Sequence, residues 1–232
     1  MIRCPNCNTE NSDLAVVCLS CHGFLQARVQ TLDLFSTIWQ IIEFPRRGMR
    51  RVILSVHKNY IVLLASLYGI GLAFFLMWWY RLGERFENLQ QLLFAGLLFG
   101  PPVGILHVSF IGIIGLVVSR ILAVQVRLPD FLAVTAYAAI PVIVGAVFIL
   151  PVELVTFGQF LFTQNPSPIV IKPVSYIILM TLDALTILWS VIVLVIGVSI
   201  LGEVRVWKSI LIVGLTIAVS FLLLLFIVRG VV

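Results

Sequence analysis

The sequence predicts an all-α integral membrane protein with five transmembrane helices and a small N-terminal zinc ribbon. Of its 232 residues, 61% are hydrophobic and only 11% are charged, whereas soluble domains are about half apolar and about a quarter charged. All four cysteines lie within the first 21 residues. This composition excludes a soluble globular enzyme, a disordered chain and a secreted disulfide scaffold. We expect a zinc ribbon over 1–25, an amphipathic basic juxtamembrane segment over 26–58 and the membrane domain over 59–232.

The four cysteines form two CxxC pairs, Cys4 with Cys7 and Cys18 with Cys21. Each pair directs two thiolates to one point, and two pairs complete a tetrahedron around zinc. Four protein ligands leave no open position on the metal, so we predict a structural Zn²⁺ site. Two disulfides or a redox dithiol are the alternatives, and disulfides require an oxidising compartment.

The residue after each CxxC pair commonly adopts a positive φ, which favours glycine. Asn8 and His22 occupy these positions, and both residue types are enriched in that conformation. We therefore interpret His22 as a turn residue rather than a ligand. The segment resembles the short zinc ribbon at the start of many prokaryotic membrane and regulatory proteins, through Cys4-Pro5-Asn6-Cys7 and Thr9-Glu10-Asn11. Both glycines of that pattern are replaced here.

The juxtamembrane segment combines an apolar helical stripe with a basic cluster. Residues at helical spacing between 34 and 42 are apolar and include Trp39, and Pro45 ends this run or begins the next helix. The arginines that follow are Arg46, Arg47, Arg50 and Arg51. This pattern predicts helices at the cytoplasmic membrane surface in contact with anionic lipids. The alternative is a topology signal without a specific lipid partner. We expect no nucleic-acid binding.

Five stretches are long and apolar enough to cross a bilayer core of about 30 Å. They are roughly 59–80, 92–119, 131–150, a part of 174–201, and 207–228. The intervening stretch 151–173 is apolar but contains four prolines. We interpret it as a re-entrant or interfacial connection that must be hydrated or covered by protein.

The distribution of Lys and Arg predicts the orientation. With the N-terminus inside, four basic residues lie outside, namely Arg81, Arg85, Lys172 and Arg229. Eleven lie inside, namely Arg3, Arg28, Arg46, Arg47, Arg50, Arg51, Lys58, Arg120, Arg127, Arg205 and Lys208. This excess indicates a cytoplasmic N-terminus and an external C-terminus, most simply in the plasma membrane. The cysteines then lie in a reducing compartment.

Two ionisable residues fall within or near the spans. His107 lies near the middle of the second span, and Asp183 is either inside the fourth or an N-cap at its start. We expect Glu153, just beyond the third span, to be solvated. His107 has two interpretations, a hydrogen bond to a neighbouring helix or a role in transport. The spacing of Gly96, Gly100 and Gly104 favours close helix packing within the bundle, with a homo-oligomer face as the alternative.

The membrane region from about residue 44 to 228 resembles the Yip family of Ypt/Rab-interacting, five-span membrane proteins, in its prokaryotic branch. The matching motifs are Gly100-Pro101-Pro102-Val103-Gly104, Ala136-Tyr137-Ala138-Ala139-Ile140-Pro141 and Trp189 in the fourth span. Where the family usually has a Gly-Gly pair, this chain has Ala123-Val124-Gln125. The resemblance implies a non-enzymatic integral membrane protein. Eukaryotic members contact small GTPases, but no motif here supports that activity.

The functional prediction is a membrane scaffold or adaptor, whose zinc ribbon binds a cytoplasmic protein partner that the sequence does not identify. Its only site residues are the metal ligands Cys4, Cys7, Cys18 and Cys21. We predict no catalytic or cofactor-binding residues besides them, because no nucleophile–base pair or catalytic metal motif is present. The alternative is a small transporter or channel that uses His107 and Asp183.

Overall fold

The computed structural model describes residues 2–12, 14–27 and 30–231, with side chains in the last helix described to residue 222. The N-terminal segment contains two short antiparallel strands, β1 (Ile2–Arg3) and β2 (Glu10–Asn11). An isolated β-bridge joins Val17 to Phe24. The segment has almost no hydrophobic core. Its two short strands are joined by the turn that contains Cys4 and Cys7.

Two helices connect this segment to the membrane domain. They are α1 (Leu34–Glu43) and α2 (Pro45–Leu54). The Asp33 carboxylate accepts a hydrogen bond from the Ser36 N–H and caps α1. Phe44 ends α1 and Pro45 begins α2, so the proline both stops one helix and starts the next.

The membrane domain contains seven further helices in the described part of the chain: α3 (Ile61–Trp79), α4 (Leu89–Ile121), α5 (Leu128–Ala138), α6 (Ile140–Phe157), α7 (Pro168–Ile171), α8 (Pro173–Leu201) and α9 (Val206–Val231). Four membrane-length spans are formed by α3, α4, the α5–α6 stretch and α8. The apolar part of α9 with described side chains, Val206–Leu222, is shorter. The chain is thus a multi-pass integral membrane protein.

The third span is longer than the sequence predicted and is broken in the middle. The break falls at Ala139, because Pro141 lacks an N–H and its ring crowds the preceding turn. The helix then continues through Pro151 to Phe157. The expected connection over 151–173 was therefore wrong for its first residues. Membrane helices tolerate proline because neighbouring groups satisfy the freed carbonyls.

Part of the irregular backbone after α6 is covered by protein, whereas residues 164–166 are exposed. A 3-10 helix over Gly158–Phe162 follows α6, and another, Leu82–Arg85, follows α3. The Gln159 amide donates to the carbonyls of Gly83 and Phe86 at 2.9 and 2.8 Å. Phe162 is fully buried, and these contacts join the two 3-10 helices.

The loops separate into two ends of the bundle. One end, which we call the basic end, contains the cysteine segment, α2 and the α4–α5 and α8–α9 turns. Lys58 and Asp130 form an ion pair there at 3.1 Å, and the Ser12 hydroxyl donates to the Glu203 carboxylate. The opposite end contains both 3-10 helices and α7. Most Lys and Arg residues belong to the basic end.

The turn after α4 lies where the family usually has a Gly-Gly pair, and this chain forms the turn without glycine. Ala123 has a φ of 54°, a left-handed conformation that costs a non-glycine residue about 1–2 kcal/mol. The N–H groups of Ala123 and Val124 donate to the carbonyls of Arg120 and Ser119, which is the Schellman pattern. The turn keeps the geometry that glycine favours although alanine occupies it.

Helices α3 and α4 form the closest helix pair in the membrane domain. A Cβ on Gly69 would overlap the Gly100 carbonyl oxygen and lie 2.5 Å from the Gly104 Cα. A Cβ on Gly104 would in turn overlap the Ala65 carbonyl oxygen. The glycine spacing is therefore used for packing within the bundle, where it lets two backbones touch.

We predict that Gly104→Val destabilises the protein by about 3 kcal/mol or more, at or above the upper end of the range for overpacking. The backbone of α3 cannot move aside without displacing the whole helix. Thermal unfolding in detergent measures the effect. Gly214→Ala is the matched control, because a Cβ there has no neighbour within 4 Å. Equal melting temperatures for the two variants would contradict the packing described here.

Candidate metal centre and membrane cavity

The four cysteine sulfur atoms meet in one cluster. Sγ of Cys4 lies 3.5 Å from Sγ of Cys21, and Sγ of Cys7 lies 3.5 Å from Sγ of Cys18. All four lie within 4.8 Å of one another and none is disulfide-bonded. Four thiolates at Zn–S bond lengths of 2.3 Å would be about 3.8 Å apart. The cluster therefore has the size and donor set of a four-thiolate metal site.

The electrostatics of the cluster also suit a cation. Hydrogen bonds with the side chain and backbone of Thr9 lower the pKa of Cys7 to about 6. The Gly23 N–H lowers the pKa of Cys21, but hydrogen bonds with Cys7 and Cys4 outweigh it and raise that pKa to about 12. Thiolates this close repel one another. A bound divalent cation removes that repulsion and allows all four to ionise.

The turns after both CxxC pairs have the predicted conformation. Asn8 has a φ of 59° and His22 a φ of 54°. Their N–H groups donate to the carbonyls of Cys4 and Cys18, which closes each turn around its pair of thiols. His22 is exposed and lies outside the set of grouped ligand atoms, in agreement with its interpretation as a turn residue.

His107 makes the interhelical hydrogen bond that was one of its two interpretations. Its Nδ1 lies 3.2 Å from the Tyr68 hydroxyl, and the two rings stack with centroids 5.7 Å apart. Tyr68 precedes Gly69, so the contact lies beside the closest approach of α3 and α4.

The structure decides between the two positions considered for Asp183 and overturns the expectation for Glu153. Asp183 is not an N-cap, because α8 begins ten residues earlier at Pro173. Glu153 is not solvated, since its residue is 3% exposed. The extension of α6 past Pro151 places Glu153 inside the bundle, where it and Asp183 line the same cavity. The continued apolar pattern around Glu153 was the signal that the sequence analysis did not use.

Both carboxyl groups line a large cavity of about 800 Å³ between the membrane helices. Tyr68 and His107 line the same cavity, so the structure brings together both intramembrane residues singled out from the sequence and adds Glu153 to them. Most of the remaining wall is apolar or aromatic and includes Phe75, Trp78 and Trp79.

In a comparison with protein families, residues 39–228 match the Yip1 domain. The helical membrane architecture of these residues agrees with that match. The chain belongs to the Yip1 domain family. The resemblance of residues 44–228 predicted this family. The cysteine segment precedes the Yip1 domain and is an addition to it. Searches of curated proteins and of solved structures gave no match.

Proposed function

We propose that this Yip1-domain protein is a non-enzymatic membrane adaptor whose N-terminal zinc ribbon binds a cytoplasmic protein partner. The membrane domain fixes the position of the ribbon, and the ribbon supplies the binding surface. No residue is assigned a catalytic role.

The observation that supports this proposal most strongly is an apolar patch on the ribbon. Val17, Leu19 and Phe24 are 46%, 80% and 67% exposed. We call these three residues the ribbon patch. Exposed apolar clusters rimmed by polar groups are typical of protein interaction sites. The ribbon contacts the membrane domain through Ser12 and Glu203, which are not part of the ribbon patch. The patch is therefore available to bind a partner.

We assign zinc to the cysteine cluster because a soft four-thiolate set in a closed tetrahedron is characteristic of structural zinc. Cys4, Cys7, Cys18 and Cys21 would hold it. The bound ion supplies no chemistry beyond neutralising the thiolates and holding the turns together. A segment with so little core depends on its metal for folding.

We predict that the purified full chain contains about one zinc per protein by elemental analysis. Cys4→Ser removes a ligand and should release the metal. His22→Gly is the matched control and should retain it, because glycine adopts the left-handed turn without strain. Acidification should also release zinc, since protons compete for the thiolates. Disulfides found by mass spectrometry would overturn this assignment.

We further propose five crossings with a cytoplasmic N-terminus and an external C-terminus in the plasma membrane. The fifth crossing is α9. The support is the excess of Lys and Arg at the basic end and the position there of a four-thiol cluster of the kind that holds a metal, which a reducing compartment favours over disulfides.

A membrane-impermeant maleimide tests this orientation in cells. Gln164→Cys, an exposed position at the opposite end, should react in intact cells. Gln125→Cys, an exposed position in the α4–α5 turn, should react only after permeabilisation. Both variants are made in a chain with the four native cysteines intact, and the unsubstituted chain gives the background. The reverse labelling pattern would exclude the proposed orientation.

The helices α1 and α2 support contact with anionic lipids at the same face. Phe35 and Trp39 lie one helical turn apart on α1 and are 81% and 67% exposed. Ile41 of the same helix is fully buried against the core, so the outward aromatic pair is available to the bilayer interface. Arg46 and Arg47 at the start of α2 are exposed beside it, as expected for an interfacial helix on an anionic membrane.

A charge substitution in the ribbon patch tests the adaptor role. Leu19→Asp combined with Phe24→Asp should reduce partner binding about ten-fold or more, because truncating or charging a central apolar contact costs about 2 kcal/mol or more. A photo-crosslinker placed at Val17 identifies and quantifies the partner by mass spectrometry. Ser20→Asp, an exposed polar position of the same ribbon, is the control and should bind normally. Identical adducts in all three proteins would refute a role for the patch.

A further inference from the structure

The membrane cavity has the size of a ligand site. Its volume of about 800 Å³ falls within the usual range of about 300–1,000 Å³ for small-molecule pockets. It extends from Tyr176 to Leu194 along α8, a distance of about 27 Å at 1.5 Å per residue. A compact apolar molecule therefore fits without movement of the helices.

Two polar atoms in this cavity have no hydrogen-bond partner among the described residues. Glu153 is 3% exposed, and its Oε1 forms no hydrogen bond to any described residue. The Ser190 hydroxyl, on the same cavity wall, is also buried without a partner. A buried polar group without a partner costs about 1–3 kcal/mol or more. Such atoms point to a ligand that completes their hydrogen bonding.

The charge of the cavity defines that ligand. Glu153 and Asp183 both line this cavity, and among the described lining residues there is no Lys or Arg. Arg81 stacks on Trp78 and donates to the Leu161 carbonyl, but it does not itself line the cavity. An ionised carboxyl group of this pair would attract a positive ligand, because no Lys or Arg among the described lining residues competes for it.

The aromatic wall favours a cation with an apolar body. Phe75, Trp78 and Trp79 form a contiguous cluster, with ring centroids 5.7–6.1 Å apart. Aromatic faces attract organic cations, most strongly where water is excluded. Acidic and aromatic groups together thus select against an anion and against a strongly hydrated metal ion.

We propose that the cavity binds an apolar organic cation, with its positive centre at Glu153 and Asp183 and its apolar body against the aromatic cluster. This site is independent of the proposed adaptor role, because it involves none of the ribbon residues. It also differs from a lipid-filled gap, which would show no preference for charge.

A pair of ions with nearly the same shape and opposite charge tests the proposal. Tetraphenylphosphonium is the cationic probe and tetraphenylborate the anionic one, each equilibrated with the full chain in nanodiscs and corrected for empty nanodiscs. We expect saturable binding and a raised melting temperature with the cation alone. Equal binding of both ions, or binding of neither, would overturn the proposal. This comparison uses the unmodified protein and does not depend on how a variant folds.

Substitution of the carboxyl groups locates the site. Glu153→Gln together with Asp183→Asn should weaken binding of the cation at least ten-fold while helical content is retained. Thr181→Val is the matched control, because Thr181 lies on α8, is exposed and does not line the cavity. Unchanged affinity in the folded double variant would show that the cation binds elsewhere, and would refute the assignment. Retention of a phospholipid in the cavity despite excess cation, detected by native mass spectrometry, would refute it equally.

Discussion

The contact between α3 and α4 at Gly69, Gly100 and Gly104 is the constraint on which the rest of the membrane domain depends. Two backbones that touch leave no space for side chains between them. The larger side chains of both helices must therefore lie to either side of the contact line. Tyr68 and His107 meet on one of these sides, and the cavity extends from there towards α6 and α8.

Much of this architecture could be predicted from the sequence. The two CxxC pairs predicted the cysteine cluster, and Asn8 and His22 were correctly identified as left-handed turn residues because their types tolerate that conformation. Four of the five apolar runs predicted to span the membrane form membrane-length helices among the described residues. These features are local, since each depends on residues within one turn or one helix.

The parts that could not be predicted depend on contacts between distant helices. Pro151 was taken as a helix boundary, although in a bilayer a proline can remain inside a helix when neighbouring groups satisfy the free carbonyl. Because of that error, Glu153 was predicted to lie in solvent. Asp183 was ambiguous for a similar reason, because an apolar run of 29 residues contains more than one stretch long enough to span. Only the packing of α6 against α8 decides where either carboxyl group lies.

The link between Ser12 and Glu203 also bears on how the chain is made. These residues are separated by 191 positions, and synthesis proceeds from the N-terminus. Ser12 emerges from the ribosome long before Glu203 is synthesised. The ribbon can therefore dock on the membrane domain only after α8 has entered the bilayer. The docked ribbon consequently marks a chain whose insertion has progressed through α8, and a chain inserted less far would display the ribbon unattached.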